Sequence, residues 1–145
     1  MPKVLPLIEK TAKFHEKLDP DRFGLKPNVT AGYQGWIQRM HDEPANAFLV
    51  AAIGERIVGF VLGAIQDDAR IYKVGRIGFI HDLWVEEDAR RGGIGRQLVT
   101  AAIEHFRSHG AEQVRLDSAV SNERAQSVFR SIGFRPAMTE MLLKL

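Results

Sequence analysis

The apolar positions of this chain change period several times, and each change marks an element. Leu7, Ile8, Ala12, Phe14 and Leu18 recur at roughly helical spacing up to Asp19-Pro20, and a second helix is expected over about Thr30 to His41. Two short apolar runs follow. Phe48-Leu49-Val50-Ala51-Ala52-Ile53 and Ile57-Val58-Gly59-Phe60-Val61-Leu62 flank Gly54-Glu55-Arg56, the pattern of a hairpin of two largely buried strands. After the polar loop Gln66-Asp67-Asp68, a longer strand is expected from about Arg76 to Val85. Glu86 to Gly93 is too polar and glycine-rich to continue it. A helix carrying Ile94, Leu98, Ala101, Ala102, Ile103 and Phe106 should end at Gly110. Val114-Arg115-Leu116-Asp117 reads as a strand, and Asn122 as the N-cap of a helix through Val128, Phe129 and Ile132 that stops at Gly133. Met138 to Leu145 reads as a closing strand. The order α-α-β-β-β-α-β-α-β predicts one α/β domain with a mixed sheet.

Composition narrows the class without naming a function. The 145 residues suit one domain and leave no room for a second. At 45% hydrophobic and 26% charged residues, with no apolar run of bilayer-crossing length, the chain is expected to be soluble, with no membrane partner. The opening Met1-Pro2-Lys3 lacks the apolar core of a secretory signal, and there is no cysteine, so the cytoplasm is the default expectation. Net charge is only +2 despite a sequence pI near 9.1, which implies no general affinity for nucleic acid. The arginines are clustered, however, and the cluster matters more than the total.

Arg90-Arg91-Gly92-Gly93-Ile94-Gly95-Arg96 lies between a strand and a helix. Its glycines let the backbone turn sharply and present amide N–H groups, and the positive end of the following helix favours an anion. Arg90, Arg91 and Arg96 would add charge-assisted hydrogen bonds, so the turn suits a phosphate. A dinucleotide-binding turn is the competing reading, because Gly93-Ile94-Gly95 could be its first two glycines and Asp117 lies downstream. Against it, Leu98 occupies the third glycine position, the preceding polar stretch is too long for a tight first turn, and such a turn has no use for so many arginines.

With strand, Arg90-x-x-Gly93-x-Gly95 turn, helix, strand, and then Asn122-x-x-Ala125 ahead of Phe129 and Gly133-Phe134, the chain resembles the GNAT superfamily of N-acetyltransferases. Composition and spacing alone reach only an anion-binding α/β domain. The resemblance implies a mixed, mostly antiparallel sheet flanked by helices, with acetyl-CoA as co-substrate. It also implies a first strand, which Pro2-Lys3-Val4-Leu5-Pro6 is too short and proline-broken to supply, so that strand is expected to be missing or the chain truncated. By the same resemblance, the turn from Arg90 to Arg96, Gly92 and Ile94 included, holds the CoA pyrophosphate. Leu83-Trp84-Val85 pairs with the pantetheine arm through its backbone, and an N–H there faces the thioester carbonyl. Asn122, Phe129 and Arg130 would lie along the same ligand, although Asn122 is equally a plain N-cap. The two N-terminal helices would border the acceptor, and family members often pair as dimers, so a homodimer is expected.

Phe129 stands where many family members carry a tyrosine that protonates the departing sulfur, and phenylalanine has no proton to give. A thiol of pKa about 8.5 still leaves tolerably as thiolate. That same position keeps open a second reading, a module that binds acyl-CoA without turning it over. The attacking amine must be neutral, which for a lysine-like amine costs roughly 4 to 5 kcal/mol at pH 7, so a base is expected. The candidates are His81, Asp82 and Asp117. Neighbours on a strand face opposite ways, so only one of His81 and Asp82 should reach the cleft unless a bulge intervenes. His15, His41, His105 and His109 lack metal-ligand spacing, and no metal site is expected. Tyr33, Trp36 and Tyr72 fall where they could shape an acceptor pocket. Its identity, a small-molecule or peptide amine, is beyond the sequence.

Overall fold

A computed structural model describes residues 3–145. Helix α1 (Leu5–Leu18) presents Leu7, Ile8, Thr11 and Ala12 inward. Asp19 ends it and accepts the backbone N–H of Arg22, capping the short α2 (Pro20–Phe23). After α3 (Val29–Asp42) come the strands β1 (Ala47–Ile53), β2 (Arg56–Asp67) and β3 (Arg76–Val85), then α4 (Ile94–Ser108), β4 (Gln113–Leu116) and α5 (Glu123–Ile132). The sheet has the order β1-β2-β3-β4, antiparallel between the first three strands and parallel between β3 and β4. The expected mixed, mostly antiparallel sheet flanked by helices is therefore present. Lys3 and Val4 form a turn leading straight into α1, so no strand precedes it among the described residues; Met1 and Pro2, at the start of the expected first-strand region, lie outside them. No helix among the described residues is long and apolar enough to cross a membrane.

Strand alternation divides the core into two layers. Phe60 and Leu62 of β2 face α1 and α3, where they pack with Leu7, Ile8, Ile37 and Met40. Val61 between them faces α4 and joins Val99, Ala102, Phe106 and Phe129. The ring of Phe106 needs a flat floor: a Cβ added at Gly78 would stand 2.4 Å from it, and one at Gly63 2.8 Å. β2 outruns its expected end at Leu62, because its polar tail stays paired with β3 as far as Asp67 opposite Arg76. Ladder hydrogen bonds hold that extension, a signal hydropathy does not carry.

The chain does not close on a strand. Residues 134–145 form no helix or strand, and Met138, Met141, Leu143 and Leu145 are exposed. The apolar order of this segment, with Met141, Leu142 and Leu143 consecutive, defines no single face for a half-buried strand. Pro136 also removes one ladder donor. The segment instead runs beside α2, tied by Arg22 to Glu140 and by Lys144 to Asp21 at 2.9 Å.

Candidate active site

The site begins with an irregularity in β3. Leu62 of β2 pairs with Asp82, but the next residue, Gly63, pairs with Ile80, which leaves His81 as an extra residue without an opposite number. This is a β-bulge, and it resets the alternation. Ile80 and Val85 both reach the α4 side of the sheet, although unbroken alternation would set them on opposite faces. On the other face, Phe79, His81 and Asp82 all line one cleft of about 790 Å³. The expectation that only one of His81 and Asp82 would reach the cleft holds for a regular strand, and the bulge removes it.

The sheet also opens at this point. β4 pairs with β3 only from Ile77 opposite Gln113 to Ile80 opposite Leu116. Beyond Ile80, Leu83, Trp84 and Val85 keep their β2 partners but have no strand on their other edge among the described residues. Their side chains are committed: Leu83 packs toward α4, Trp84 packs with the α1 and α3 layer, and Val85 is buried. What remains available along this edge is backbone, the part an extended ligand arm can use.

Next to that edge is the arginine-glycine turn, which is more ordered than its composition implies. Glu87–Gly92 forms a 3-10 helix, and Gly93, at φ +74° and ψ 15°, reverses the backbone into α4 at Ile94. Of the glycines in the turn, Gly93 is the one with a positive φ. Gly92 has open space around it, and a Cβ at Gly95 would make ordinary contact with Val85 at 3.7 Å. The three arginines are not equivalent. Arg90 lies 4.9 Å over the Trp84 ring and donates through Nε to the Val85 carbonyl at 2.8 Å. Arg96 donates to the Ser131 carbonyl and hydroxyl, at 3.2 and 2.9 Å. Arg91 is exposed and engages no other described residue. It is the one of the three already free to meet an anion.

Other residues named from the resemblance have structural employment. Asn122 caps α5, its side chain accepting the Ala125 N–H at 3.3 Å. Phe129 is 8% exposed, inside the α4 layer and edge-on to Phe134. Arg130 is exposed on α5, and neither it nor Phe129 lines the cleft. Tyr72, expected near the acceptor, is instead 62% exposed on the β2–β3 loop and also stands outside the cleft. Tyr33 and Trp36 of α3 do line it, edge to face with each other at 6.0 Å.

The electrostatics of the cleft follow from its walls. His81 opens to the cleft but is flanked by the Trp36 ring at 5.6 Å and the Phe79 ring at 5.0 Å. Loss of hydration pushes its pKa down, and the charge of Asp117 opposes this. Burial pushes the Asp82 carboxyl up, against the opposing influence of His15. Tyr33 is raised by burial and by the neighbouring Asp82. Desolvation therefore works against the charged form at both residues. Overall the lining has carboxylates at Asp19, Asp82, Asp117 and Glu140 against the guanidinium of Arg22, a balance suited to a cation.

Two lining residues escape sequence reasoning. His15 of α1 belongs to no motif in the sequence, yet it lines the cleft with its Nδ1 3.0 Å from the Thr11 carbonyl. A carbonyl only accepts, so Nδ1 is the donor in this contact. The other is Ser118, whose hydroxyl is shielded from solvent and has no hydrogen-bond partner among the described residues. Such a group costs about 1 to 3 kcal/mol. Neither signal exists in the sequence, because each depends on which elements meet.

Comparison with known proteins agrees with this geometry. Residues 11–134 match the acetyltransferase (GNAT) family. Over 125 residues the chain is 30% identical to mycothiol acetyltransferase of Saccharomonospora viridis, covering 85% of this chain and 39% of that protein. Among solved structures, a tetramutant of the BH1408 protein of Bacillus halodurans superposes with a TM-score of 0.80 at 25% identity, covering 99% of this chain and 92% of the other. The aminoglycoside acetyltransferase AAC(6')-Iy, solved with a bisubstrate analogue of CoA and an acetylated neamine, shares the fold at a TM-score of 0.71 and 17% identity, covering 98% of this chain and 91% of that one. The chain spans about two-fifths of the length of the first curated relatives it matches. It belongs to the GNAT acetyltransferase family.

Proposed function

We propose that the chain transfers an acetyl group from acetyl-CoA to a primary amine, by direct attack of the amine on the thioester in a ternary complex. The observation that carries this reading is the parting of β3 and β4 at the His81 bulge, beside the Gly93 turn. An unpaired strand edge offers backbone groups to the pantetheine arm, and the amides opening α4, with Arg91, suit the pyrophosphate. A free N–H of the Leu83–Val85 edge would stabilise the oxyanion. The attacking nitrogen forms the new C–N bond, the C–S bond breaks with its electron pair going to sulfur, and a cleft base takes the amine proton. His81 serves as that base, because desolvation keeps its imidazole neutral. Asp82 and Asp117 hold the cationic form of the acceptor, which gives up one proton to water before attack and the second to His81 as the C–N bond forms.

The acidic, aromatic lining supports a cationic small-molecule or peptide amine as acceptor. The reading includes a homodimer, in which a second copy covers the exposed Met138, Met141 and Leu143; a solution mass near twice 16.3 kDa is expected. Calorimetric titration of acetyl-CoA and NAD, followed by CoA release with spermidine, tyramine and an unblocked peptide as acceptors, tests the function. Preference for acetyl-CoA and amine-dependent release are expected. Absence of acetyl-CoA binding sinks the reading. Tight binding with no release by any amine replaces it with a non-catalytic acyl-CoA sensor, the role that Phe129 keeps open.

A further inference from the structure

The acetyl transfer proposed above leaves a thiolate sulfur in the wedge between β3 and β4, and the wedge needs something to receive it. Phe129 is packed into the core and carries no donor. Ser118 lies two residues beyond Leu116, the last residue of β4 paired with β3, where the two strands have begun to part at the bulge. It belongs to the cleft lining, and its hydroxyl is the buried side-chain polar atom left without a partner among the described residues. Nothing in the protein's own hydrogen bonding explains a serine there. The other aliphatic hydroxyls of the lining, Ser121 and Thr139, are exposed, and the Tyr33 phenol of α3 is not a buried unpartnered atom, so none carries that penalty.

We propose that the Ser118 hydroxyl is the hydrogen-bond donor to the departing CoA sulfur. The proposal rests on the acetyl-CoA reading of the wedge. A serine hydroxyl is a far weaker acid than a thiol of pKa about 8.5, so it keeps its proton and stabilises S⁻ as a donor. As the C–S bond breaks, the electron pair moves to sulfur, the O–H of Ser118 points at it, and the amine proton goes to the separate base. Ser118 thus touches a reacting atom without exchanging a proton, and its oxygen returns to an unpaired state when CoA leaves.

The test needs no knowledge of the acceptor. CoA itself is the probe, and the ionisation of its thiol in the complex is followed by the ultraviolet absorbance of the thiolate. In the parent protein the bound thiol should ionise below its free value, and Ser118→Ala should raise it by about one unit, one hydrogen bond to a charged group. Ser118→Thr, which restores a hydroxyl, should return it. Affinity for acetyl-CoA should stay at the parent value and the thermal midpoint should rise, since the substitution removes an unpaired buried hydroxyl and leaves no new orphan; kcat with any accepted amine should fall roughly tenfold. An identical thiol pKa in the parent and Ser118→Ala overturns the donor role while leaving the acetyltransferase reading intact. Failure of the parent to bind CoA overturns both. If Ser118→Ala does not fold, a raised pKa in Ser118→Val with normal values in Ser118→Thr makes the same distinction, and equal values in those two overturn the proposal.

Discussion

The two halves of β3 obey different rules. From Ile77 to Ile80 the strand is paired on both edges, and its Gly78 forms part of the floor under Phe106. From His81 to Val85 it keeps β2 but has no β4 beside it, its register is broken, and its side chains border a cleft or cap the two cores. The first half maximises internal satisfaction. The second leaves backbone groups and polar side chains unsatisfied, and a fold tolerates that only where something else will complete them. One bulged residue separates the two regimes, and it also brings His81 and Asp82 onto the same cleft.

The strongest way to break this contrast is to disturb the closed half. Gly78→Ala forces a Cβ to 2.4 Å from the Phe106 ring, so a loss of about 3 kcal/mol in folding stability is expected, read from chemical denaturation. A cost below about 0.5 kcal/mol would mean that the Phe106 floor is soft and the halves differ less than described. In the open half the expected effect is on binding. Gly93→Asp puts a side chain at φ +74° and a negative charge beside the α4 amides; it should cost only about 1 kcal/mol in folding but weaken acetyl-CoA more than tenfold by calorimetry. Arg91→Ala, removing a side chain with no partner among the described residues, should leave stability unchanged and weaken acetyl-CoA about tenfold. Equal affinity in both variants and the parent would remove the phosphate from this turn.

The smallest effect sharpens the comparison at the bulge. Burial lowers the His81 pKa, so its imidazole stays base-competent below the ordinary value of about 6.5. The acidic limb of kcat/KM should therefore fall below that pH and disappear in His81→Gln. The folded protein binds this proton less readily than the unfolded chain, so stability should decline as pH drops through about 6.5 toward the lowered folded value. A limb that persists unchanged in His81→Gln would transfer the role to Asp82 or Asp117.

Much of the local structure is legible in the chain itself. β3 occupies its expected span, Arg76–Val85, and the helices around Phe106 and Phe129 begin and end within a residue or two of their punctuation, because caps and apolar spacing are local chemistry. The Gly93 turn is visible for the same reason. The closing strand fails: Met138 to Leu145 is apolar enough, but a strand exists only when a neighbour accepts its hydrogen bonds, and no described residue does so. Tyr72 fails likewise, since its approach to the cleft depends on a loop path that no local pattern encodes.

By itself, the sequence determined the order of elements from β1 to α5, the arginine-glycine turn at the head of α4, the lack of a proton at Phe129 and, through motif resemblance, the family. Tertiary structure alone decided that His81 is the extra residue of a bulge, that β4 stops pairing at Leu116, that Arg90 and Arg96 are tied down while Arg91 is free, and that His15 and Ser118 belong to the cleft. The reason is range: capping, turns and periodicity act over a few residues, whereas register, desolvation and unmet hydrogen bonds arise between segments that only folding brings together.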